Sequence, residues 1–327
     1  MVARVASQSQ STFRGARLFD PVRDLGAVAR LLEEAFRPDH NFPFSNVPLL
    51  RELGIFLWTL GYAPGFPEST TGFVWVEDGK IVGNATLTPD EGRLDRYMIT
   101  NVAVKPDYRR QGIARALVQR SIEHLRTLNV KIALLNVRPD NSGAIKLYTD
   151  LGFHEVETRG EWTRSSPRVA PQGMWHQIAP RPLREADRYA VSELVRAAMP
   201  TDARKLLPAR NEFNITWDER MAEAVGDFFI GQVTQRWALE MGGRIAALLL
   251  VRAQRLALPH RMSVEVHPDF RGRVEVDLVA FALRELARFP LREIHAFGTS
   301  THREWIQALE QNEFKTQNAL TLMTMAL

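Results

Sequence analysis

Two stretches of the chain, "VKPDYRRQGIA" at residues 104–114 and "VHPDFRGRVEV" at residues 266–276, are versions of one phrase, and their spacing limits the folds open to the chain. Pro106 and Pro268 stand 162 residues apart. The same offset, to within one residue, pairs Asp24 with Asp187 in "RLFDPVRDLGAVARLLEEAF" and "RPLREADRYAVSELVRAAM", and Phe153 with Phe314 in "DLGFHEV" and "QNEFKTQ". A period that long marks a duplicated domain and excludes solenoid repeats of roughly 20–50 residues. A chain of 327 residues has room for two domains of ordinary size. The expected halves are residues 1–165 and 175–327, joined by a linker at 166–174 where Ser, Pro and Gly displace apolar residues in "RSSPRVAPQG".

Within each half the apolar pattern alternates between strand and helix. "GFVWVEDGKIVGNATLTP" predicts two strands around a turn at Asp78-Gly79, and "RYMITNVAVK" a third. Ala114, Leu117, Val118, Ile122 and Leu125 then recur at helical spacing, which predicts an amphipathic helix over 111–127. A strand "KIALLNV", a short helix from Asn141 and a pair of strands from Phe153 to about Arg164 complete the half. The second half repeats the order with "QRWALEM", "RIAALLLVRAQ", "HRMSVEVH", a helix over 274–288, "EIHAFG", a helix near His302 and strands to the end. Each half therefore reads as α/β: a mixed, mostly antiparallel sheet flanked by helices.

The first phrase carries chemistry. Val104 ends a strand, Pro106 stops its hydrogen bonding, and Gly112 and Ala114 open a helix where side chains are minimal. A helix start presents free N–H groups and partial positive charge, so a turn this bare can cradle an anion. Arg109, Arg110 and Arg115 add full charges, which suits a diphosphate. Taken alone, the turn reads as an ordinary strand-to-helix turn with a solvated basic face.

The wider pattern resembles the GCN5-related N-acetyltransferase (GNAT) family. Its acyl-CoA signature, Gln/Arg-x-x-Gly-x-Gly/Ala, is met by Arg109, Gly112 and Ala114, and its second signature by Asn141, Ala144, Tyr148, Gly152 and Phe153 in "NSGAIKLYTDLGF". The resemblance implies two tandem GNAT-like domains and acetyl-CoA as cosubstrate. It implies that the backbone of Arg109, Arg110, Gln111, Gly112, Ile113, Ala114 and Arg115 holds the CoA phosphates. Val102, Ala103 and Val104 would pair with the pantetheine arm, an amide near Val102 would face the thioester oxygen, and Asn136 and Asn141 would touch the arm. Tyr148 falls where the family places its general acid, the alternative being a core tyrosine; Gly152 and Phe153 serve turn geometry and packing.

Composition narrows the reaction. The chain has no cysteine, so neither an acyl-cysteine relay nor a thiolate metal site is available, and direct attack by an amine in a ternary complex is expected. No metal is expected. A net charge of +4, from 42 basic and 38 acidic residues, gives no basic stripe for nucleic acid. The N-terminal stretch lacks the apolar run of a signal peptide, and Ile245–Val251 is far too short to span a bilayer, so a cytoplasmic protein without membrane attachment is expected. The carboxylate that many GNAT members carry before the phosphate loop is missing from "RYMITN"; Glu91, Asp95 and His40 are the substitutes at hand. The aromatic segment at 37–70, with Phe42, Phe44, Phe56, Trp58, Tyr62 and Phe66, would line the pocket of a small-molecule or peptide amine acceptor or pack against the sheet.

In the second copy Val274 and Val276 replace Gly112 and Ala114, Leu309 replaces Tyr148, and His302 replaces Asn141. Valine blocks close backbone approach, so this copy is expected neither to bind CoA nor to catalyse. It would complete the acceptor groove, cover a sheet edge or mediate homodimer formation. A competing reading is a non-catalytic acyl-CoA-binding or scaffolding protein, which would have no need of Tyr148.

Overall fold

The computed structural model describes residues 13–36, 71–90, 93–165, 179–201, 204, 212–213 and 216–327. The chain forms two compact units: Met1–Val137, Asn141–His154 and Met323–Leu327 make the first, and Arg138–Asp140 and Glu155–Leu322 the second.

In the first unit β1 (Gly15–Leu18), α1 (Pro21–Phe36), β2 (Thr71–Glu77), β3 (Lys80–Asp90), β4 (Arg93–Val104), α2 (Ile113–Thr127), β5 (Ile132–Val137) and α3 (Ser142–Asp150) follow in order. β1 to β4 are antiparallel neighbours and β5 joins β4 in parallel. Asp78 and Gly79 turn β2 into β3 with φ of 49° and 73°, the positive values that a two-residue hairpin turn demands. Alternation along β2 then decides the layers. Phe73 and Trp75 face the core formed with α2 and α3, while Val74 and Val76 pack with Val28, Leu31 and Leu32 of α1. The stripe Leu117, Val118, Ile122 and Leu125 is buried as its spacing predicts. Truncating Leu117 to Ala would remove about 2–5 kcal/mol.

The chain's last residues complete this unit. The Leu327 amide donates to the Lys131 carbonyl at 3.0 Å, the Thr324 hydroxyl to Ala133 at 3.4 Å, and Met323 and Met325 join the core.

Except for His154, β6 (His154–Arg164) belongs to the second unit, with β7 (Arg181–Pro182), α4 (Arg188–Ala198), α5 (Trp217–Ile230), β8 (Gln232–Met241), β9 (Arg244–Gln254), β10 (His260–Val266), α6 (Glu275–Leu286), β11 (Ile294–Thr299), α7 (Arg303–Gln311) and most of β12 (Lys315–Ala326). β7 to β10 are antiparallel, β11 is parallel to β10, and β6 runs antiparallel to β11. The order repeats that of the first unit, down to an ion pair at its start: Arg17 grips Asp24 at 2.7 Å, and Arg181 grips Asp187 at 2.8 Å.

Two expectations need correction. The pair of strands expected over 153–164 is one strand, and so is the end of the chain from Lys315. Gly160 makes no turn: it stays in β6, and the Trp162 ring lies over it, where a Cβ would come within 2.4 Å of the indole. Among the described residues no helix is long and apolar enough to cross a membrane, and no group of three or more His, Asp or Glu could hold a metal ion.

Candidate active site

The site begins where two strands part. β4 and β5 pair only at Arg96↔Ile132, Tyr97↔Ala133 and Met98↔Leu134, although both continue to Val104 and Val137. The cause lies on the other side of β4. Its register with β3 shifts between Asn84 and Thr86, and Asn101 adopts a left-handed φ of 53°. Buried Asn84 holds this bulge by donating from Nδ2 to the Asn101 carbonyl at 3.0 Å and to Thr86 Oγ1 at 3.1 Å. Bulges bend a strand and raise its twist. Among the described residues the β5-facing edge of Val102, Ala103 and Val104 is thereby left without a strand partner.

A turn carries the chain from that edge into α2. Pro106–Tyr108 forms one 3₁₀ turn, Arg109 Nε donates back to the Val104 carbonyl at 3.1 Å, and Arg110 and Gly112 take φ of 61° and 80°. The glycine is required here for its backbone, and a Cβ on it would meet nothing within 4 Å. Ala116 is the first residue whose amide bonds back, to Gly112 at 3.0 Å. The amides of Ile113, Ala114 and Arg115 therefore have no acceptor within the helix. A cavity of about 670 Å³ opens on this turn, lined by Val102, Ala103, Val104, Arg109, Arg110, Gly112, Ile113, Ala114 and Arg115.

The far wall comes from α3. Asn141 caps that helix, its side-chain oxygen accepting from the Ala144 amide at 3.1 Å, and it also lines the cavity. About two turns later Tyr148 lines the same cavity, 6% exposed and edge-on to Phe153 at 6.1 Å between ring centres. Burial pushes its phenol up to about 12. Gly152, at φ 99°, closes the helix so that the Phe153 amide donates to the Tyr148 carbonyl at 3.0 Å.

Other expected residues are not gathered here. Gln111 faces away, contacting Arg14 at 3.5 Å and the Asp107 carbonyl at 3.4 Å, and Asn136 is exposed on β5; neither lines the cavity. The Asp95 carbonyl accepts from Lys131 at the paired end of β4, seven residues and roughly 20 Å from Val102. That distance removes Asp95 as a base for this site. His40, Glu91 and the aromatic segment at 37–70 lie outside the described residues.

The second unit repeats the turn and fills it. After the 3₁₀ turn Pro268–Phe270, Gly272 takes φ 77°, Val274 lies buried at φ −130°, and α6 starts at Glu275. The Glu275 carboxylate folds back into the turn, accepting from the Gly272 amide at 2.9 Å, the Val274 amide at 3.2 Å and His302 Nε2 at 2.8 Å. Burial alone would raise this carboxyl; the bonds from His302 and the turn amides hold it below its ordinary value. An internal anion thus stands where the first unit leaves amides free. Glu275 aligns with Ile113 and sequence reasoning passed it over; a carboxylate three residues after a turn glycine, at a helix start, was its signal.

A model described as the acetyltransferase (GNAT) family matches residues 28–153. The [ribosomal protein bS18]-alanine N-acetyltransferase of Escherichia coli (strain K12) is 37% identical over 136 residues, covering 42% of this chain and 78% of that protein. The chain belongs to the GNAT family. A GCN5-related N-acetyltransferase from Sphaerobacter thermophilus shares the fold over 95% of both chains, at a TM-score of 0.60 and 19% identity. A tandem GNAT protein from the clavulanic acid biosynthesis pathway covers 95% of this chain and 98% of its own, at a TM-score of 0.50 and 17% identity. The tandem GNAT architecture therefore extends over nearly the whole chain.

Proposed function

We propose that the first unit is an acetyl-CoA-dependent N-acetyltransferase, moving an acetyl group to a primary amine by direct attack in a ternary complex. The observation that carries this reading is the partnerless edge of β4 at 102–104, running into a helix whose first-turn amides are free. An open strand edge can take an extended, amide-bearing arm as an added strand. The amides of Ile113 to Arg115, with Arg109, Arg110 and Arg115 around them, suit the diphosphate at that arm's end. The cavity volume of about 670 Å³ is that of a small-molecule site.

Bound acetyl-CoA would supply the activated acyl carbon. In this reading an N–H near Val102 faces the oxygen on which charge develops, as an oxyanion donor. The amine nitrogen bonds to the acyl carbon, the C–S bond breaks, the amine gives up its proton to solvent water, and the sulfur leaves as thiolate. Tyr148, with its phenol near 12, keeps its proton throughout the neutral range. Complete transfer to a thiolate whose own value is about 8.5 would be uphill by ~5 kcal/mol. Its role is then hydrogen-bond donation to the departing sulfur, which the burial that raised the phenol also strengthens.

Likeness to the bS18-alanine N-acetyltransferase favours a peptide α-amine over other primary amines as acceptor. Thiol release from acetyl-CoA, measured with short peptides and with small amines, tests the proposal. Amine-dependent release is expected, with a rate that climbs with pH and levels near 8 for an α-amine or near 10.4 for a lysine. Binding of acetyl-CoA with no amine-dependent release from any of them would favour an acyl-CoA-binding module instead.

A further inference from the structure

Helix α5 is inside out. Its inward residues are polar: Glu223 pairs with Arg236 at 2.7 Å, and Asp227, 9% exposed, accepts from Gln232 at 2.6 Å. Its outward residues are apolar and large, with Trp217 67%, Met221 48%, Val225 56%, Phe228 81% and Phe229 76% exposed. A surface helix normally shows the reverse. The β9–β10 loop extends the patch at the helix end: Arg255 donates to the Gly231 carbonyl at 2.7 Å, and Leu256 beside it is 55% exposed.

The spacing identifies what covers this face. Trp217, Met221, Ala224 and Phe228 fall four, three and four residues apart, the seam spacing of paired helices. The seam is self-complementary. Run antiparallel about a two-fold axis midway along it, Trp217 meets Phe228 of a second copy and Met221 meets Ala224, whose small side chain lets the helices approach. Trp217, Phe228 and Phe229 are three exposed aromatics, each of a kind that can bury about 150–250 Å², a large part of the roughly 800 Å² that one partner gives to a standard stable interface. Trp, Phe and Met are the residue types enriched at such interfaces. The charged residues at the helix start, Asp218 and Glu219, are acidic, which disfavours an anionic lipid surface. We propose that the protein is a homodimer whose two-fold interface is α5 packed on α5 of a second copy.

Sedimentation velocity of the full chain across a concentration series tests this. The expected species has twice the 37.2 kDa mass of one chain. Phe228→Glu should weaken dimerisation at least about 30-fold, as a central aromatic anchor does, while leaving acetyl-CoA binding unchanged. Because Phe228 is exposed, its replacement leaves the fold and the far-ultraviolet circular dichroism intact. The cysteine-free background gives a second readout: Met221→Cys combined with Ala224→Cys, the positions that face each other, should oxidise to a covalent dimer, and Arg120→Cys on α2 should not. A chain that stays monomeric at about 100 µM, a dimer indifferent to Phe228→Glu, or a monomer that binds phosphatidylcholine vesicles through α5 would each overturn the proposal.

Discussion

The helix starts after Gly112 and Val274 begin alike and differ at the last turn residue and in what faces their amides. In each, a strand ends, proline opens a single 3₁₀ turn and a left-handed residue follows, Arg110 at φ 61° and Gly272 at 77°; before the helix begins, Gly112 stands at φ 80° and its counterpart Val274 at −130°. At the first, nothing lies within 4 Å of where a Gly112 Cβ would stand. At the second, Glu275 brings a carboxylate onto the Gly272 and Val274 amides, and His302 hydrogen-bonds to it. A helix start carries partial positive charge whatever its sequence, so some anion or water must answer it. Duplication allowed one copy to leave that place open for a ligand and the other to supply the anion from its own chain.

The difference can be broken from either side. The largest effect is expected for Gly112→Val: a β-branched residue at φ 80° is strained and obstructs the diphosphate, so acetyl-CoA affinity in calorimetry should fall at least about 100-fold. Tyr148→Phe should lower kcat about 100-fold with acetyl-CoA affinity within about twofold, a split that steady-state kinetics and calorimetry together resolve.

Glu275→Ala strands the buried Val274 amide and His302, which costs about 1–3 kcal/mol, read as an earlier thermal transition of the second unit with acetyl-CoA binding unaltered. The same carboxyl gives a pH signature. Its folded value lies below the unfolded one, so its contribution is present above the ordinary carboxylate range and is lost as pH falls through the folded value. Acid denaturation of the second unit should accordingly flatten in Glu275→Ala. The smallest effect is expected for Val274→Gly, which leaves the carboxylate seated and should create no second acetyl-CoA site.

Much of this was legible in the residues and some was not, for physical reasons. The hairpin at Asp78-Gly79, the α2 stripe and the cap at Asn141 were readable because each is set by local geometry. Strand partners were not. Period-two alternation says which face a residue takes but not which neighbour a strand finds, so the placing of β6 against β11 and of residues 323–327 against β5 had no local signal. The splay of β4 was equally hidden, because Asn84 and Asn101 stand 17 residues apart and become a clamp only once the strands pair. Asn136, matched by its place after a strand core, is exposed on β5 and does not line the cavity. α5 was not read from the sequence, and only the partners of Glu223 and Asp227, Arg236 and Gln232, reveal that its polar side is the inner one.

Calorimetric titration of the full chain with acetyl-CoA tests the contrast between the two turns most directly. One binding site per chain, lost in Gly112→Val and kept in Glu275→Ala, is the predicted result. Two sites per chain, or a single site that survives Gly112→Val, would contradict it.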